Sequence, residues 1–288
     1  MDIRTQSQTA QPQVEKSVLS TGEIQTIGSG FEARRFRHTA FSGLMDPLIM
    51  VDHFTMTEPT FDTHAHAGLS AVSLLFEDST GFFNNRDSLG HDINLAPGDL
   101  YWLKAGRGAV HNEANRPGAR IHALQIFVNL PARMKHDAPA SLHVPAGEVP
   151  VIQGPGHRAR LVLGQSHGLA AGQSPALPMT ILDLFLAPGG TFEHRAGPDQ
   201  GIWVYAVDGA VEVRVPGHDI ALPQGSSVAL RGVARMELHG AAAAHAVILH
   251  GTPVREHFVQ RGPFAMSTLE DLEAVAAAHA AGRLGRID

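Results

Sequence analysis

PGDLYWLKAGRGAVHNE, residues 97–113, holds a turn, a strand, a glycine-flanked loop and two residue types that ligate metals. Pro97-Gly98-Asp99 is a turn signal, and Leu100–Lys104 reads as a short buried strand. Arg107 sits between two glycines and is expected to fix the loop ahead of His111 or to touch an anionic substrate. In His111-Asn112-Glu113, the outer residues are two apart. In an extended chain such residues point to the same side, so an imidazole and a carboxylate can face one ion.

Upstream, His64-Ala65-His66 offers the same geometry with two imidazoles, just before a strand. Two such pairs on neighbouring strands would supply four ligands pointing into a barrel. The chain has 18 histidines, so about one His-x-His is expected by composition alone. Either pair in isolation is therefore weak evidence for a site.

Further strands are expected at Ala71–Phe76, Ile121–Leu130, Ala159–Gly164, Met179–Ala187, Ile202–Val207, Ala210–Val215 and Ser227–Arg231. The turns between them include Ser88-Leu89-Gly90 and Pro188-Gly189-Gly190. Asp208-Gly209 reads as a two-residue hairpin joining its flanking strands. Short strands with such turns predict an all-β chain of two β-barrels. Each half holds a strand ending near histidine and a Pro-x-Gly-type turn, with His194 standing where the first half has its His-x-His pair. Residues 1–15 read as a loose tail, 16–135 as a first barrel with the metal site, and 136–288 as a second barrel without metal. The Pro- and Gly-rich segment from Pro131 to Gly156 reads as the link between barrels. A helix is expected at 268–281. Ser267-Thr268-Leu269-Glu270 resembles a capping box, and Leu269, Leu272, Val275 and Ala276 recur at helical spacing.

Composition narrows the chemistry. There is no cysteine among 288 residues, which excludes disulfides, thiolate zinc sites and iron–sulfur clusters and leaves nitrogen and oxygen ligands. A formal charge of −6 without a basic block gives no electrostatic reason to expect direct nucleic-acid binding. The polar start lacks a secretory h-region and no apolar run reaches membrane-spanning length, so a cytoplasmic location is the expectation.

Several blocks together are distinctive. They are Asp46-Pro47, Val51-Asp52-His53-Phe54, Arg86-Asp87-Ser88-Leu89-Gly90, Ala105-Gly106-Arg107-Gly108 running on to His111 and Glu113, and Leu124 to Pro131. This series resembles the pirin family, a branch of the cupins, strongly over about residues 30–135 and architecturally to about 265. The resemblance implies two stacked cupin barrels with iron in the first only. It puts the ligands at His64, His66, His111 and Glu113. Three imidazoles and a carboxylate suit Fe(II), Mn(II), Ni(II) or Zn(II), and the resemblance favours Fe(II). It also implies quercetin 2,3-dioxygenase-type activity on a phenolic substrate, in which Glu113, if detached from the metal, is expected to serve as a catalytic base. The alternative that it implies is a metal-dependent or redox-sensing regulator that binds a transcription factor or metabolic enzyme.

The family's usual His-Pro-His-Arg-Gly-Phe-Glu-Thr-Val reads here His64-Ala65-His66-Ala67-Gly68-Leu69-Ser70-Ala71-Val72. Ala67 and Ser70 replace an arginine and a glutamate, so the site is expected to lose hydrogen bonds around its ligands. His53 is expected to be structural. On Ile121–Leu130, His122, Leu124, Ile126 and Val128 share one face, while Gln125 and Phe127 share the other. Periodicity alone leaves open which face lines a cavity.

Overall fold

The computed structural model describes residues 14–197 and 199–287. The residues that begin the expected tail, 1–13, lie outside it. The expected strands form, and they build two barrels. In each barrel a seven-stranded sheet faces a four-stranded one.

The chain starts with β1 (Glu15–Lys16), β2 (Glu23–Ile27), β3 (Phe31–Arg37), β4 (Leu48–Met56), β5 (His64–His66) and β6 (Leu69–Leu75). It continues through β7 (Phe83–Asp87), β8 (Asp92–Leu95), β9 (Leu100–Lys104), β10 (Ala109–Asn115), β11 (Ile121–Asn129), a short helix α1 (Ala132–Lys135) and β12 (Ala140–Val144). The first barrel's large sheet runs β12-β9-β6-β11-β4-β3-β2, and its small sheet runs β5-β10-β7-β8.

Next come β13 (Val151–Gly154), β14 (His157–Leu163), the small pair β15 (Gln165–Ser166) and β16 (Leu169–Ala170), β17 (Met179–Leu186) and β18 (Gly190–Arg195). The second barrel closes with β19 (Gly201–Asp208), β20 (Val211–Val215), β21 (His218–Leu222), β22 (Ser227–Arg231), β23 (Arg235–Gly240) and β24 (Ala244–Gly251). Its sheets run β1-β22-β19-β24-β17-β14-β13 and β18-β23-β20-β21. The two barrels thus share one strand order, which gives the faint sequence repeat a structural meaning.

Strand pairing crosses the expected boundaries. Glu15 pairs with Arg231, so β1 extends the second barrel's sheet although it precedes the first barrel in sequence. The segment expected as a link instead supplies β12, which pairs with β9 from Ala140↔Lys104 to Val144↔Leu100. One edge of each large sheet is thus covered by a strand from beyond its own half. Covering an edge satisfies backbone groups that would otherwise be left unpaired.

Asp208-Gly209 does not close a hairpin. Strand β19 is paired on both edges, with β22 and β24, so β20 finds no free edge there and joins the facing sheet. The two-residue hairpin lies instead at Pro216-Gly217, where Val215 pairs with His218 and Gly217 has φ 78.

The large sheets pack on each other. Phe36, Val51, Trp102, Leu124 and Ile126 from the first barrel meet Trp203, Tyr205, Val247 and Leu249 from the second in one apolar core. Leu124, Ile126 and Val128 therefore face the other barrel. Gln125 and Phe127 are left to face the first barrel's cavity. The Pro97-Gly98 turn is locked across this junction: buried Arg160 donates to the Gly98 carbonyl at 2.5 Å and to Asp183 at 3.0 Å.

His53 belongs to this junction and not to the candidate site. The Asp78 carboxylate accepts from His122 Nδ1 at 2.7 Å, so His122 Nε2 is a lone pair. It accepts from His53 Nε2 at 2.6 Å, and His53 Nδ1 in turn accepts from the Tyr205 hydroxyl at 2.6 Å. A proton on His53 Nδ1 or His122 Nε2 would break the chain. Burial, with the neighbouring His122 next, pushes His53 down to about 3. Between pH 6.5 and about 3 the unfolded chain takes up this proton and the folded chain does not. Stability from His53 is thus present above 6.5 and lost as pH falls through that window. We expect unfolding free energy to drop on going from pH 7 to 4.5 by about 2–3 kcal/mol more in wild type than in His53→Gln. Urea midpoints at the two pH values check this, and equal drops would refute it.

The last segment returns to the first barrel. Here β25 (Val259–Arg261) and β26 (Phe264–Met266) form a hairpin, with a bridge from Phe264 to Ala67. Helix α2 (Leu269–Ala280) follows, and its Leu272 and Val275 pack with Ala65, Ala67 and Val110. The helix expected to end the second barrel is thus seated on the first, because the apolar surface beside β5 needs covering. Its cap is one residue later than the sequence suggests: Thr268 Oγ1 accepts from the Asp271 backbone N–H at 3.1 Å. No helix of the described residues is long and apolar enough to cross a membrane.

Candidate metal centre

Strands β5 and β10 are antiparallel neighbours with Ala109↔His66 and His111↔His64 in register. Residues two apart on β5 project to one side, and His111 lies directly across from His64. The ligand nitrogens of His64, His66 and His111 all fall within 4.8 Å of one another. His66 Nε2 is 2.9 Å from His111 Nε2, which is 3.0 Å from His64 Nε2. His64 Nδ1 donates to the Asp62 carbonyl at 2.9 Å, so its Nε2 presents a lone pair inward.

Burial lowers all three rings: His66 to about 3, His111 well below its ordinary value, and His64 by a smaller step. Three neutral imidazoles that point nitrogens at one another form a poor hydrogen-bond set. They form a good ligand set. Metal–nitrogen bonds of about 2.1 Å at right angles put adjacent nitrogens about 3.0 Å apart. The observed spacing matches, so these residues fit a divalent ion.

Glu113 follows His111 on the same face of β10 but falls outside the group gathered within 4.8 Å. Its carboxylate accepts from Ser73 Oγ at 2.5 Å. Burial pushes it up to about 7, with the Ser73 hydrogen bond opposing.

His64, His66 and Glu113 open onto a cavity of about 480 Å³ whose walls include Phe31, Phe54, Phe61, Phe83 and Phe127. One polar row crosses its floor. Cross-strand partners Arg35↔Asp52, Asp52↔Gln125 and Gln125↔Ser73 lead step by step to Glu113. Arg35 Nε donates to Asp52 at 2.7 Å and Ser73 Oγ lies 3.1 Å from Gln125 Oε1. The sequence reading missed Arg35 and Ser73 as site residues. Their signal is strand alternation on β3 and β6, which appears only once register aligns the strands.

The two replaced positions have different fates. Ala67 is fully buried against Phe264 and Met266, where the C-terminal hairpin fills the space that a longer side chain would need. Ser70 is fully buried and its Oγ has no hydrogen-bond partner. Arg107 is exposed and does not line the cavity. Its loop is held by backbone: Arg107 N–H donates to the Asp137 carbonyl at 2.9 Å, and a Cβ on Gly106 (φ +53) would lie 2.3 Å from the same oxygen.

In the second barrel, His194 is buried but not alone. It is joined by His250, which the sequence reading did not single out, at 4.8 Å between ring centroids. Burial lowers both, to about 3 and about 4.

Comparison with known proteins agrees with this architecture. The pirin family model matches residues 16–128, and that of the pirin C-terminal cupin domain matches residues 181–285. Human pirin is 30% identical over 265 residues, covering 89% of this chain and 88% of that protein. The fold is similar to quercetin 2,3-dioxygenase from Acinetobacter baumannii, with a TM-score of 0.82 at 21% identity over 96% of this chain and 98% of that one. It is also similar to the bacterial pirin YhhW from Escherichia coli, solved in complex with nickel(II), with a TM-score of 0.63 at 18% identity over 84% and 99% of the two chains. With two cupin barrels, three converging histidines in the first, and matches to both of the family's domains, the chain belongs to the pirin family.

Proposed function

We propose that this protein is an Fe(II)-dependent dioxygenase that acts on a planar phenolic of the flavonol or catechol type. The observation that carries the reading is the opening of the three-histidine cluster onto an aromatic-walled cavity of about 480 Å³. That volume lies in the range of small-molecule sites, and phenylalanine walls suit an aromatic ring. The proposed ligands are His64, His66, His111 and Glu113. The similarity to a quercetin 2,3-dioxygenase and to a nickel-bound pirin supports the substrate class and a divalent ion.

Bound iron would supply Lewis acidity and an oxygen-reactive electron source. The remaining tasks fall to side chains. Phe127, whose ring is 5.1 Å from that of His66, orients the substrate ring beside the centre. Glu113, once released from the ion, is placed to accept the proton of a phenolic hydroxyl. Ser73 keeps its carboxylate aimed into the cavity. The apolar walls exclude water from the reacting oxygens.

Aerobic incubation of iron-loaded protein with quercetin tests this. Expected are loss of the flavonol absorbance and matching O₂ uptake above that of free iron. In Glu113→Gln, kcat should fall by roughly 10²–10⁴-fold, the usual size of a general-base contribution. Uptake no greater than free iron gives would refute the reading.

A further inference from the structure

Because the barrels share one strand order, β18 stands in the second where β5 stands in the first, and β24 stands where β11 does. Strand β18 carries His194 and β24 carries His250. Their centroid separation of 4.8 Å equals that of His66 and His111. They are 1% and 6% exposed, and the Nε2 of each is buried without a hydrogen-bond partner.

The proton on His250 can be placed. The Gly197 backbone N–H donates to Gln200 Oε1 at 2.7 Å, which fixes that atom as the amide oxygen. His250 Nδ1 lies 3.0 Å from the same oxygen and must be the donor. Its Nε2 therefore carries only a lone pair. On the other ring, His194 Nδ1 lies 3.4 Å from Ser166 Oγ. A buried acceptor with no donor is costly. A purely structural histidine would have its second nitrogen satisfied. A cavity of about 410 Å³ lined by Gln165, Thr180 and Gln200 reaches His250, which provides an entry path.

We propose that His194 and His250 form a second cation site, separate from the three-histidine centre, for one late first-row divalent ion. Two imidazoles without a carboxylate select such an ion over magnesium or calcium, whose preference is for oxygen. Water entering by the cavity would complete its shell.

The test is equilibrium dialysis of the tag-free full chain against Zn(II), with bound metal counted by elemental analysis. Wild type should hold two equivalents, and His250→Gln one. The double variant His64→Ala/His66→Ala should also hold one, retained at the second site. Circular dichroism confirms that each variant is folded, and His194→Asn gives an independent route to the same loss. One equivalent in wild type that His250→Gln leaves in place would overturn the proposal. So would two equivalents persisting in His250→Gln, which would assign the second ion to surface histidines.

Discussion

Replacing His66 by alanine should abolish stoichiometric binding of a divalent ion in the first barrel. His66 is 1% exposed, and its Nε2 lies 2.9 Å from that of His111, which also faces His64. Loss even of a group that only orients a ligand weakens a metal site by about 10–100-fold. Loss of a ligand from a three-imidazole set should exceed that, so we expect affinity to fall by more than about 100-fold. Stability gives an independent readout. An ion at 100 times its Kd stabilises the folded state by about 2.7 kcal/mol. Wild type should gain this from the first-barrel ion on addition of Fe(II) or Ni(II), whereas His66→Ala should lose that contribution at the same concentration. His111→Ala should behave alike, since its nitrogen lies between the other two. Wild-type affinity in both variants would remove the centre and the dioxygenase reading with it.

The second large effect is expected at Lys135. Its ammonium is 1% exposed and donates to three oxygens: the Gly68 carbonyl at 2.8 Å, Asn129 Oδ1 at 2.7 Å and the Ala265 carbonyl at 2.7 Å. Three donors meet three acceptors, which is how a lysine becomes tolerable in a core. Burial still lowers it to about 8, with Glu256 opposing that shift. The bonds tie the turn after His66 to the C-terminal hairpin, where a Cβ on Gly68 would already lie 2.0 Å from the Ala265 oxygen. Lys135→Met keeps the apolar stem and takes the charged donor from all three acceptors, of which the Gly68 carbonyl still accepts from the Leu130 N–H at 3.4 Å. At about 1–3 kcal/mol for each unsatisfied buried group, partly relieved by relaxation, destabilisation should reach about 3–5 kcal/mol. Urea unfolding of the metal-free protein measures it. Because Gly68 follows His66 by two residues, metal affinity should weaken as well. A loss under 1 kcal/mol would show that the three oxygens find other partners.

Local physics made much of this molecule legible. A strand's period of two places His64 beside His66 and keeps Glu113 on the face of His111, whatever surrounds them. The turn at Pro97-Gly98-Asp99 and the strand Leu100–Lys104 form as their residues dictate. The family-like blocks around them led to two cupin barrels. These features depend on neighbours a few positions apart, so the chain states them directly.

Other features depend on which edges and faces meet. Asp208-Gly209 has hairpin chemistry, yet both edges of β19 were taken, and a two-residue turn carries no record of distant pairing. The exchange of β1 and β12 between barrels, the choice of Gln125 and Phe127 over Leu124 and Ile126 for the cavity, and the meeting of His194 with His250 are of the same kind. Sequence alone set the side-chain alternation, the turns and the histidine pairs. Tertiary structure decided which edges were covered, which faces turned inward and which distant side chains met, because those outcomes follow from burying the chain's apolar surface and pairing its strand edges as a whole.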